Sequence, residues 1–277
     1  MGSHRNVLSQ GKLQKLVTAD ANEQAVAPSR AMRWVSAAAF FEVLNCAESA
    51  GRLGKYAIKG GFAIELRYNA TARTSEDIDL ILSGEREAIE MLRNILPATW
   101  DSFEFRIKTE EQREHVVRVN VKVQFNRVDW GTLKIDLIDA KIAEVERVPN
   151  VAIERFGLPR VGRVACLSRP HQIAEWIHCT TRPEIEGNRR NRAHNVVDIY
   201  LFDTLAPTDD ADVHAACVTT FEREATHEWP PAPAFPETWT AAIAAVVEET
   251  GLAVSPAEIV RHVTAFIERL GTLPKSV

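Results

Sequence analysis

Residues 56 to 82 constrain the fold more than any other stretch of the chain. They read as a short strand from Tyr56, a Gly60-Gly61 turn, one amphipathic helix and a second strand, Asp77-Ile78-Asp79-Leu80-Ile81-Leu82. Side chains alternate faces along a strand, so Asp77 and Asp79 share one face while Ile78, Leu80 and Leu82 turn into a core. Carboxylates with an ordinary pKa of about 4 are both ionised near neutral pH and repel each other. A divalent cation relieves that repulsion. Beside the pair, Gly60-Gly61 opens a helix whose unpaired backbone N–H groups and positive end suit a phosphate.

Each half alone is weak, because Asp-x-Asp is common on solvated strand ends and Gly-Gly is usually only a turn. Together they describe a phosphate pocket facing a Mg²⁺ claw, the arrangement of a nucleotidyl-transfer site. The order Lys59-Gly60-Gly61, one helix, then Arg73-x-Ser75-x-Asp77-x-Asp79 resembles the signature of the polymerase-beta-like nucleotidyltransferases, and most closely that of the AbiEii/AbiGii toxin family. The fold class implied is α/β: a polymerase-beta-like nucleotidyltransferase domain with a mixed sheet, followed by a helical domain.

Later strands supply a third carboxylate. Val117, Val119, Val121, Val123 and Phe125 alternate with Arg118, Asn120, Lys122 and Gln124, which is a strand with one wet face. A turn near Asn126 leads into Thr132-Leu-Lys134-Ile-Asp136-Leu-Ile-Asp139, and the two runs form a hairpin. In the second run Asp136 lies opposite the apolar face, whereas Asp139 has the wrong parity. On this strand alone Asp136 reads as a solvated residue. Beside Asp77 and Asp79, and with a resembling family that carries its third carboxylate on a later strand, Asp136 becomes the candidate third ligand for two Mg²⁺ ions and a group able to help deprotonate an attacking hydroxyl.

The remaining segments set the expected domain limits. Residues 1–28 lack a sustained apolar face and are expected to be a flexible arm with a helical turn near Leu13 to Val17. A helix from Ser29 to Glu48 opens a nucleotidyltransferase domain spanning 29–165. Residues 140 to 165, with Pro149, Gly157, Pro159 and Gly162, read as a connection. Residues 166–277 read as a bundle, with helices around Ile173 to Cys179, Val196 to Leu205, Val213 to Glu224, Trp239 to Glu249 and Pro256 to Leu270.

Within that bundle, Asn188-Arg189-Arg190-Asn-Arg192-Ala-His194-Asn195-Val-Val-Asp198 puts basic side chains one helical turn apart and ends on an aspartate. Guanidinium groups pair with phosphate oxygens in a fork, so the seam suits a triphosphate; the plainer reading is a solvated helix start. The stretch also resembles the helical part of the family, Asp198-Ile199 matching its last acidic position. Asn195 stands where the family usually has an aspartate, and Trp176 where it places a lysine used on the nucleotide. Trp176 either lines the cleft and stacks on a base or is a core residue of its helix.

Composition narrows the alternatives. A formal charge of −5 argues against a protein that coats nucleic acid by global attraction. No run approaches the ~20 apolar residues of a membrane span and no charged-then-apolar leader opens the chain, so cytoplasmic residence is expected. Cys46, Cys166, Cys179 and Cys217 lack the spacing of a zinc site or a disulfide framework.

The expectation is thus a Mg²⁺-dependent nucleotidyltransferase. Asp77, Asp79 and Asp136 hold two ions; Lys59, Gly60, Gly61 and Ser75 serve the nucleotide, with Arg189, Arg190, Arg192 and Trp176 from the helical half. The resemblance implies Asp198 as a further catalytic group, an NTP substrate, an RNA acceptor, the tRNA 3′ end, and a cognate antitoxin of a toxin–antitoxin pair. Two rivals remain: an aminoglycoside-type enzyme that modifies a small molecule, and a catalytically silent member that works by binding a partner.

Overall fold

The structure is a computed structural model that describes residues 8–84, 86–113, 116–183 and 191–274. The chain divides into two compact units, Met1–Cys166 and Leu167–Val277. In chain order the first contains helices α1 (Gln10–Glu23) and α2 (Pro28–Ser49), strand β1 (Lys55–Lys59), helix α3 (Gly60–Tyr68), strand β2 (Asp77–Ser83) and helix α4 (Ala88–Ile95). Strands β3 (Ala98–Trp100), β4 (Phe103–Gln112), β5 (Val117–Phe125), β6 (Val128–Asp139), β7 (Val145–Pro149) and β8 (Arg163–Leu167) follow. The strands form one eight-stranded sheet in the order β3-β4-β5-β6-β2-β1-β8-β7.

The clean alternation at 117–125 does become a strand with one wet face. Val119, Val121, Val123 and Phe125 are fully buried, and Arg118, Asn120, Lys122 and Gln124 face the other way. The expected hairpin forms, with β6 starting earlier than the apolar pattern indicated. Asn126 and Arg127 both take positive φ, 50° and 65°, which is what a two-residue turn needs to match the twist of its flanking strands. On the far side of β6 lies β2 in parallel, and β2 pairs antiparallel with β1.

The core fills one face of this sheet. Phe40 and Phe41 of α2 are wholly buried, Phe40 with its ring 5.6 Å from Phe105 of β4 and Phe41 edge-on to Phe62 of α3 at 5.7 Å. Ile78, Leu80 and Leu82 of β2 join the same cluster. That packing fixes which face of β2 carries its aspartates.

Two expectations are corrected here. Residues 8–28 are not a loose arm: Ser9 caps a 14-residue helix, and Leu13, Val17 and Ala21 along one edge of it are buried. The stripe is only one residue wide at four-residue spacing, too thin to register as an amphipathic face, yet it suffices against α2. Arg155 pairs with Asp20 of this helix at 2.8 Å. Residues 140–165, read as a connection, contribute β7 and part of β8, and they bury Val148, Ile153, Phe156, Leu158, Val164 and Ala165. Strands as short as five residues among prolines and glycines give too few alternations to be recognised.

The second unit holds helices α5 (Arg169–Thr181), α6 (Ala193–Leu205), α7 (Asp210–Glu224), α8 (Thr240–Thr250) and α9 (Pro256–Gly271). Gly251, at φ +66°, ends α8, and a reciprocal capping box between Ser255 and Glu258 starts α9. Leu205, the last residue of α6, is exposed. No helix among the described residues is long and apolar enough to cross a membrane.

The docked N-terminal helix gives a first prediction. Leu13→Ala removes a wholly buried side chain and is expected to destabilise the protein by about 2–4 kcal/mol. Urea denaturation checks it; an unchanged midpoint would mean that α1 contributes no packing.

Candidate active site

The parallel pairing of β2 with β6 sets Asp79 directly beside Asp136, and the antiparallel pairings extend that register across the sheet. Glu111, Arg118, Asp136, Asp79 and Lys59 are successive partners on β4, β5, β6, β2 and β1. Partnered residues share a face, so the five form one transverse row on the wet side of the sheet. Asp77 shares their face two residues before Asp79. Residues 59 and 118 therefore bracket the adjacent carboxylates with positive charge.

Arg118 sits inside the carboxylate group. Its Nη2 donates to Asp77 Oδ2 at 2.5 Å and to Asp136 Oδ2 at 2.6 Å, while its Nε donates to Asp136 Oδ1 at 2.7 Å. These are short charge-assisted bonds, bidentate toward Asp136. The Asp136 hydrogen bond, with help from Asp77, pushes the arginine further above its already high pKa against the opposing effect of burial. Sequence reasoning missed Arg118, since one more polar residue on a wet strand face carries no distinguishing mark. Only the register of three strands puts it here.

The glycine pair is held as closely as the carboxylates. Gly60 has φ +66°, and a β-carbon on it would lie 1.9 Å from Asp79 Oδ2. A β-carbon on Gly61 would stand 2.9 Å from Arg73 Nη2 and from Ser75 Oγ. Glycine is thus required at 60 both for its backbone angle and for the approach of the carboxylate. No side chain caps the N-terminus of α3, whose first backbone N–H groups are of the kind that receive phosphate. Arg73, beside Gly61, is a second cation not assigned from the sequence.

Ser75 differs from its expected role. It is buried, and its hydroxyl donates to the carbonyl of Asp77 at 2.9 Å, so it ties the loop to the start of β2 rather than offering its hydrogen to a phosphate. Its backbone N–H donates to Glu65 of α3. The Glu65 carboxylate also accepts from Trp34 Nε1 and lies 3.6 Å from Arg30 Nε. Arg30 in turn donates to the carbonyl of Ala72 at 2.6 Å. This buried knot joins α2, α3 and the loop that delivers Arg73, Ser75 and Asp77. Burial raises the Glu65 pKa above the usual carboxylate range, and Arg30, Trp34 and Ser75 pull it back.

In the helical unit, Trp176 on α5 is only 4% exposed and meets Phe202 of α6 edge-on at 5.0 Å. Of its two expected roles, stacking on a base gives way to packing, because the ring is enclosed by protein. Asp198 is fully buried in α6, and Arg192 is half-buried at that helix's N-cap. Asn195 is buried, and its Oδ1 lies 3.8 Å from Cys179 Sγ. Arg189 and Arg190 lie outside the described residues.

Among the described residues no group of three or more histidines, cysteines, aspartates or glutamates stands together as a metal-binding set. Asp77 and Asp136 instead accept hydrogen bonds from Arg118. The chemistry of the claw still fits a hard divalent ion: all three donors are carboxylate oxygens, and Asp77 Oδ1 is buried without a hydrogen-bond partner. An unsatisfied buried anionic oxygen beside the Asp79–Asp136 pair is a ready ligand.

The family model described as nucleotidyl transferase AbiEii toxin, type IV toxin–antitoxin system, matches residues 43–267. No curated protein is a match at the level of sequence. Among solved structures the chain is similar to MenT4, a nucleotidyltransferase toxin from Mycobacterium tuberculosis H37Rv, with a TM-score of 0.59 and 14% identity over 94% of this chain and 99% of that one. It is also similar to JHP933 from Helicobacter pylori, with a TM-score of 0.46 and 14% identity over 83% of this chain and 89% of the other. At such identity the likeness to MenT4 shows a shared fold.

Two predictions follow from the geometry. Gly60→Ala places a β-carbon against the Asp79 carboxylate and forces alanine to a left-handed angle, a strain of about 1–3 kcal/mol. A lowered thermal midpoint together with weakened nucleotide binding is expected, and unchanged values for both would refute the close approach. For Glu65 the folded pKa lies above the ordinary value of 4.5. Its stabilisation is therefore complete below the unfolded pKa and declines as pH rises through the folded one. Wild type should lose stability relative to Glu65→Gln as urea midpoints are followed from about pH 4 to about pH 7; a constant difference between the two proteins would exclude a raised pKa.

Proposed function

The chain belongs to the nucleotidyl transferase AbiEii toxin family of type IV toxin–antitoxin systems and is a nucleotidyltransferase, and from that premise we propose that it transfers NMP from an NTP to an RNA acceptor, the 3′ end of tRNA. The observation that carries this reading is the in-register pair Asp79 and Asp136 on parallel strands, next to a glycine-opened helix N-terminus.

Asp77, Asp79 and Asp136 would hold two Mg²⁺ ions, which on binding supply Lewis-acid stabilisation to the attacking and departing oxygens. Gly60 and Gly61 present backbone N–H groups to the triphosphate, and Lys59 and Arg73 offset its charge. Asp136 accepts the proton as the acceptor hydroxyl oxygen bonds to the α-phosphorus and the bond to pyrophosphate breaks. Ser75 and Glu65 keep the loop in position. One arginine among Arg189, Arg190 and Arg192 is proposed to pair with the triphosphate, because guanidinium and phosphate meet in a fork. Asp198, fully buried on α6, is kept as the further acidic group that the family resemblance implies. The setting proposed is the cytoplasm, with a cognate antitoxin as partner.

Incubation with total tRNA, Mg²⁺ and each labelled NTP in turn tests the reading. Label should appear on RNA, and Asp77→Ala, Asp79→Ala or Asp136→Ala should lower transfer at least about a hundredfold, with the circular dichroism spectrum retained. Full transfer by the Asp77 or Asp79 variant would refute the claw. Label on an aminoglycoside and not on RNA would move the acceptor to a small molecule, and no transfer to either, with no metal binding, would leave a silent binding protein.

A further inference from the structure

Arg118 does more than balance charge. Its Nη2 lies between one oxygen of Asp77 and one of Asp136, at 2.5 and 2.6 Å. Those are oxygens that would hold a divalent ion, so the guanidinium and the metal would compete for them. Three of the claw's carboxylate oxygens are engaged by this one side chain. Asp77 Oδ1 remains buried and unpartnered, so Arg118 neutralises the claw without satisfying it. The guanidinium cannot lose its proton to make way and must move.

Glu111 is the strand partner of Arg118 on the side away from Asp136 and is exposed at the end of β4. It already pairs with Arg113 at 3.0 Å. That leaves an incoming triphosphate, with more negative charge than any single side chain, as the stronger new partner for a displaced arginine.

Resting on the nucleotidyl-transfer reading of the claw, we propose that Arg118 is a built-in counter-ion that competes with divalent metal for Asp77 and Asp136, so that metal is held tightly only when a nucleotide draws the arginine away. Metal and NTP then bind with positive coupling. By reciprocity each strengthens the other by the same factor. Arg118 is thus a positioning residue: before substrate arrives it holds Asp77 and Asp136 together in their catalytic register, and afterwards it leaves their oxygens to the metal.

The test is Mn²⁺ affinity, followed by electron paramagnetic resonance, for wild type, Arg118→Gln and Arg118→Lys, with and without an NTP analogue whose α,β-bridge is a methylene. Wild type is expected to bind Mn²⁺ weakly alone and about tenfold or more tighter with the analogue, within the usual range of coupling between sites. Arg118→Gln should bind Mn²⁺ without the analogue about tenfold tighter than wild type and lose most of the coupling, since it removes charge-assisted bonds that compete with the metal. Its thermal midpoint should fall without metal and rise with Mn²⁺ more than that of wild type. Arg118→Lys, which keeps one charge but not the fork, should shift in the same direction by less, and it carries the test if the glutamine variant does not fold. Should the analogue tighten Mn²⁺ binding to wild type while both variants bind no tighter than wild type alone, competition by Arg118 is refuted and the claw stands. If no form binds Mn²⁺ even with the analogue, the claw itself is refuted and the proposal with it.

Discussion

Three carboxylates on one face of two neighbouring strands repel one another, and the active-site half of this protein is arranged around that constraint. The parallel register of β2 against β6 forces Asp79 and Asp136 to be neighbours. It cannot be relaxed by a slip of one residue, because that would turn Ile78, Leu80 and Leu82 out of the core. The charge must be compensated where it lies. Arg118 does so from β5, with Lys59 at the opposite end of the same row.

The loop ahead of β2 answers a different need. It must place Arg73 and Ser75 against the Gly61 backbone without a regular ladder of hydrogen bonds to support it. Glu65 takes over that task from α3, accepting the Ser75 backbone N–H while Arg30 holds the Ala72 carbonyl. A buried carboxylate is costly, and the pairing with Arg30 and Trp34 offsets part of that cost. Such a knot is tolerated where geometry matters more than stability, as in a loop packed against the glycine-opened start of α3.

The helical half is held by contacts between its helices that the sequence left open. Trp176 is taken into the packing between α5 and α6 through Phe202. Asn195 lies beside Cys179 of α5. A ring and an uncharged amide are groups that a helix interface accommodates without the cost of a buried charge.

From the sequence alone came the elements with strong local signals: the period-two strand at 117–125, the glycine-opened helix α3, and the shared face of Asp77 and Asp79. Asp136 could be chosen over Asp139 by parity, since alternation along a strand is a local property. Arg118 could not, because nothing in its immediate neighbours distinguishes it from other basic residues on wet surfaces; Arg73 stood in the motif, but its approach to Gly61 was not legible. The thin buried edge of α1 and the short strands β7 and β8 escaped, and the two readings of Trp176 could not be separated, for the same reason: each depends on what packs against it. Local backbone preference and side-chain alternation wrote the carboxylate pair into the sequence. Long-range strand pairing, which joins residues as far apart as 77, 118 and 136, decided which cation meets them.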